Sequence, residues 1–110
     1  MRMKMIIAII NRLDSEATCN ALRDAGFYLT QIGSIGGYLH EGNQTLLIGT
    51  EEHKVGKAME IFRDYAGRRT ESIKSYTEDD LTMETKVETK SIKVGGATVF
   101  VLNIDQFEKM

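Results

Sequence analysis

The sequence predicts an α+β domain in the order strand, helix, strand, strand, helix, strand, with both helices on one face of a mostly antiparallel sheet. Three observations carry the prediction. A nearly unbroken β-branched run, Met-Lys-Met-Ile-Ile-Ala-Ile-Ile, opens the chain at residues 3–10. Two later stretches place apolar residues at helical spacing, and a second strongly apolar run follows the pair Gly95-Gly96. This order is the split βαβ, or ferredoxin-like, pattern.

The first run has the continuous hydrophobicity of a central strand covered on both faces. Asp14 or Ser15 is expected to cap the first helix, with Ala17, Ala21, Leu22 and Ala25 on its apolar face and Gly26 as its stop. Residues 27–35 alternate weakly and read as a second strand; residues 43–48 read as a third. Thr50, followed by Glu51 and Glu52, is expected to cap the second helix. Its stripe is Val55, Ala58, Met59, Phe62, Tyr65 and Ala66, and Gly67 closes it. Residues 99–104 form the last strand. Residues 70–93 are rich in Thr, Glu, Lys and Ser and read as a long polar loop, with a weak strand or hairpin arm at 86–94. Such a sheet has one bare face, and self-association is the simplest cover for it.

At 110 residues the chain predicts one domain, 1–110, large enough to bury a core without disulfides or metals. Apolar residues make up 42% and charged residues 27%, an ordinary balance for a globular protein. A net charge of −2 gives no global field for nucleic acid, so an anionic ligand would need local donors. The single cysteine, Cys19, cannot form an internal disulfide, which fits a reducing, cytoplasmic setting. It is expected to be half buried on the first helix. The opening apolar run is too short to span a membrane.

The informative stretch is 33–50, where Gly33, Gly36, Gly37, Gly42 and Gly49 recur between two strands. Gly36-Gly37, before Tyr38-Leu39, is able to present successive backbone N–H groups to one anion. Asn43 adds an amide that both donates to and accepts from a purine edge. Tyr28, Tyr38 and Phe100 are candidates for stacking, each base contact being worth roughly 1–3 kcal/mol. On spacing alone, the same glycines also fit plain turns and bulges. No Gly-Lys-Ser/Thr follows and no helix opens at the glycines, so neither a Walker loop nor a dinucleotide fingerprint is present.

Three blocks resemble the PII-like cyclic-di-AMP receptors: residues 5–10; residues 36–51, Gly-Gly-Tyr-Leu-His-Glu-Gly-Asn-Gln-Thr-Leu-Leu-Ile-Gly-Thr-Glu; and residues 94–102, Val-Gly-Gly-Ala-Thr-Val-Phe-Val-Leu, with Phe107 beyond. The resemblance implies a homotrimer with a ligand site at each subunit interface. It implies that Gly37, Tyr38 and Leu39 meet the ligand phosphates through main-chain amides. It places Thr30, Asn43 and Gly49 around an adenine and Phe100 at the pocket wall. Tyr28 stands where the family carries an arginine, and Lys109 where it carries a glutamine. Tyr28 is expected to stack on adenine and Lys109 to meet a phosphate. The implied function is non-covalent signal reception: cyclic-di-AMP orders loops that an unidentified downstream protein reads. ATP or another adenine nucleotide is the alternative ligand.

No enzymatic role is expected. Acyl-phosphate hydrolysis on such a frame needs a glycine-lined arginine loop after the first strand, and Asn11-Arg12-Leu13-Asp14 has no glycine. RNA recognition needs aromatic residues on the central strands, and residues 3–10 have none. His40, His53 and Cys19 lack metal-site spacing, so no metal or cofactor is expected. Arg68-Arg69 is what a helix end attracts through its dipole.

Overall fold

The computed structural model describes residues 2–33, 42–78 and 85–110. Six strands and two helices follow in the order β1 (Met3–Asn11), α1 (Ser15–Asp24), β2 (Leu29–Ile32), β3 (Asn43–Glu51), α2 (Val55–Ala66), β4 (Arg69–Glu78), β5 (Thr85–Val94) and β6 (Ala97–Asn103). β2, β3, β1 and β6 form one antiparallel sheet in that spatial order. β4 and β5 form a separate two-stranded ribbon inserted between α2 and β6. Apart from the ribbon, this is the predicted strand–helix alternation.

Alternation along the central strands decides which face is closed. Ile6, Ala8 and Ile10 of β1 are fully buried, as are Leu46 and Ile48 of β3. The register pairs Ile6 with Ile48 and Ala8 with Leu46, so these side chains share the helix-covered face. Leu22 and Cys19 of α1 and Ala58, Ile61, Phe62 and Ala66 of α2 complete this core. Each buried aliphatic side chain contributes roughly 1.5–3 kcal/mol, so these strands and helices hold one another in place.

Several local expectations are corrected. Thr50 does not cap α2; it is buried in β3 opposite Lys4. The helix begins only at Val55, after a 3₁₀ turn over Glu52–Lys54. The α1 face is Ser15, Thr18, Cys19 and Leu22, not an alanine stripe, and Cys19 is fully buried. On α2, Ile61 joins the core while Tyr65 is half exposed. β2 starts two residues late because the Phe27 amide donates to the Leu22 carbonyl (2.9 Å), tying that residue to the end of α1. β6 starts at Ala97, two residues earlier than expected, extended by pairing with Ile10 and Ile9.

Residues 70–93 are not a loop. β4 and β5 pair in unbroken register from Arg69 opposite Val94 to Glu78 opposite Thr85. The described side chains of β5 before Val94 are all exposed. A two-stranded ribbon open on both faces has no core of its own, and its described ties to the body lie at its root. There Arg69 donates two hydrogen bonds to the nearly buried Asp14 carboxylate, at 2.6 and 3.2 Å. The hydrogen bonds that Asp14 accepts, with its charge and that of Glu71, raise the guanidinium pKa above its ordinary value. Asp14 is thus taken by the ribbon and makes no side-chain cap for α1; Asn11 instead accepts from the Leu13 amide. Gly95 closes the root with φ +76°, and a Cβ there would lie 2.6 Å from the Gly67 carbonyl oxygen. The neighbouring Gly96 amide donates to the Ala66 carbonyl (2.8 Å), capping α2.

Candidate functional site

Opposite the helices the sheet presents Met5, Ile7 and Ile9 of β1, Thr45, Leu47 and Gly49 of β3, and Phe100 and Leu102 of β6. The register aligns them in rows: Ile32–Thr45–Ile9–Thr98, then Thr30–Leu47–Ile7–Phe100, then Gly49–Met5–Leu102. Ile32, Phe100 and Leu102 remain 43%, 51% and 45% exposed, so the face is apolar and only partly covered. Among the described residues, no helix lies over it.

Five of the ten expected ligand residues, Tyr28, Thr30, Gly49, Phe100 and Lys109, fall on this face or at its margins. Thr30 and Phe100 occupy the same row, but three strand spacings, ~14 Å, separate them. Gly49 leaves a notch in β3: a Cβ placed there would find nothing within 4 Å. No packing among the described residues therefore demands a glycine there. Tyr28 immediately precedes β2 and is 86% exposed. The tail returns to it, with the Lys109 ammonium 5.6 Å from the ring centroid. Tyr28 and Lys109 are thus a cation–π pair at the β2 margin. Gly36, Gly37, Tyr38 and Leu39 lie outside the described residues.

Asn43 is elsewhere. It opens β3 opposite Asn11, at the far end of the strand from Gly49. Six residues of extended chain, roughly 20 Å, separate the two. That exceeds an adenine ring, so one chain cannot bring both to the same base. The expected ligand residues that are described therefore separate into Tyr28, Thr30, Gly49 and Lys109 towards β2, Phe100 across the sheet on β6, and Asn43 at the far end of β3.

Asn43 borders a cavity of about 510 Å³ that also meets Ile9, Arg63, Arg68, Gly96 and Thr98. The arginines in this cavity were not among the expected ligand residues. Their proximity depends on how the end of α2 meets the start of β6, which sequence spacing does not reveal. Among the described residues, no three His, Cys, Asp or Glu side chains converge on a metal-sized site, and no helix is long and apolar enough to cross a membrane.

Comparison with known proteins adds the family. A solved structure of a functionally unknown protein from Pediococcus pentosaceus shares 32% identity, with a TM-score of 0.79 over 100% of this chain and 99% of that one. A PII-like nitrogen regulatory protein, CPII from Thiomonas intermedia, solved with ADP, AMP and bicarbonate, is 19% identical; the match covers 86% of this chain and 94% of that one at a TM-score of 0.48. Its apo form is 18% identical over the same shares, with a TM-score of 0.49. The family model described as cyclic-di-AMP receptor matches residues 3–110, and the chain belongs to that family.

Proposed function

We propose that the protein is a signal-transduction receptor that binds cyclic-di-AMP where subunits of a homotrimer meet, with loop ordering as its output. The observation that carries this reading is the split of the adenine-reading groups. Asn43 and the Thr30–Gly49 notch are too far apart to share a base within one chain, so a joint site needs a second copy. The partly exposed apolar face supplies a reason for copies to associate, since burying it removes hydrocarbon from water. Family membership supplies the ligand class.

Within the joint site, amides of Gly36, Gly37, Tyr38 and Leu39 hold the phosphates. Thr30, Asn43 and Gly49 contact adenine, and Phe100 forms a wall. Tyr28 stacks on a base, and Lys109 faces a phosphate while remaining over the Tyr28 ring. The reading involves no bond making and no cofactor. The downstream partner is a protein that distinguishes the ordered from the free loops. A cytoplasmic location accords with Cys19 being a free thiol.

Calorimetry with cyclic-di-AMP and with ATP tests the ligand. Saturable heat with the cyclic dinucleotide is expected. Saturation by ATP alone would favour the second reading, an ATP-responsive regulator. That reading is motivated by an uncharged ring at position 28, opposite the charge a ligand brings.

A further inference from the structure

Two neighbouring arginines have different surroundings. Arg69 is neutralised by Asp14 at 2.6 Å and by Glu71 at 3.5 Å. Both acids border a separate cavity, of about 360 Å³, at the ribbon root. Arg68 turns instead to the 510 Å³ cavity beside Asn43, which it shares with Arg63 of the last turn of α2. Among the described residues, no carboxylate lines that cavity and no acid lies within ion-pair distance of either arginine. Its volume falls in the range of small-molecule sites, roughly 300–1,000 Å³. The helix dipole accounts for a cation near this end of α2, but not for two cations in a hollow whose described lining holds no acid and also offers an amide and a hydroxyl. The Ala66 carbonyl there is already satisfied by Gly96.

We propose that Arg63 and Arg68 are the cations that take phosphate charge from the nucleotide whose base edge meets Asn43. The proposal rests on the receptor reading above and deepens it. Guanidinium groups offer forked donors that match phosphate oxygens, and they keep their charge at any physiological pH. In a chain of net charge −2, an anion needs such a local source of positive potential. Thr98 supplies a hydroxyl donor beside them, and Ile9 an apolar wall.

The test is calorimetry on the full chain with two probes, cyclic-di-AMP and inorganic pyrophosphate. Arg63→Gln, Arg68→Gln and the double variant are compared with Arg12→Gln, a solvent-facing control. Thermal melts verify that each variant is folded. Each single change is expected to weaken cyclic-di-AMP about tenfold, and Arg68→Lys to recover part of the loss. Arg12→Gln should leave binding unchanged, and pyrophosphate binding should vanish in the double variant. A folded double variant that binds cyclic-di-AMP as tightly as the parent overturns the proposal and leaves the receptor reading intact. Pyrophosphate binding that needs these arginines, without any cyclic-di-AMP binding, supports the cation site and sinks the receptor reading. A parent chain that binds neither probe overturns both.

Discussion

Gly95 and Asp14 lie within one small junction, yet each serves the fold differently. Gly95 takes a φ of +76° that other residues adopt at a cost, with no room for a methyl group beside the Gly67 carbonyl. Gly95→Ala is therefore expected to destabilise the protein by about 1–3 kcal/mol, read from urea denaturation. Asp14→Asn removes the charge that holds Arg69. Hydrogen exchange should then accelerate at the ribbon root while the amides of β1 and β3 stay protected. Asn43→Ala acts on ligand and not on fold. It should leave the melt unchanged and weaken cyclic-di-AMP by about 1–3 kcal/mol in calorimetry, because a base edge loses its partner. Sequence flagged Asn43 by its chemistry beside a glycine-rich stretch. It could not flag Asp14 as an ion-pair partner, because Arg69 lies 55 positions away and no local rule joins them.

The elements differ in how openly the sequence declares them, and burial explains the difference. β1 and β3 must fill a core, so their apolar runs are dense and legible. Leu46→Ala opens a cavity opposite Ala8 and should cost about 2–5 kcal/mol in the same denaturation experiment. α2 also shows its stripe, although Ile61 enters the core and the half-exposed Tyr65 does not. The ribbon of β4 and β5 is the opposite case. Both faces meet water, so neither strand needs the apolar–polar alternation that marks a half-buried strand. Its order comes from cross-strand pairing and from the clamp at its root, and a polar, Thr- and Lys-rich segment looks like a loop until its partner is known. The arginine-lined cavity was hidden for a related reason: β3, α2 and β6 each contribute one side of it.

For the whole molecule, the closed face builds the body and the open face sets what the body does. Ile32, Phe100 and Leu102 stay partly exposed on the sheet face over which no described helix lies. In the proposed trimer that surface is buried, and groups some 20 Å apart in one chain approach each other across a junction. Leu102→Glu should place a charge in the junction and split the assembly, seen by light scattering, without lowering the secondary-structure signal. Titration of cyclic-di-AMP into the intact protein and into the dissociated Leu102→Glu chain, followed by calorimetry, tests the central claim most directly. One ligand per chain for the assembly, and no measurable binding to the isolated chain, is the predicted result. Equal affinity for both, or no heat from the intact assembly, would contradict a site that neighbouring copies complete.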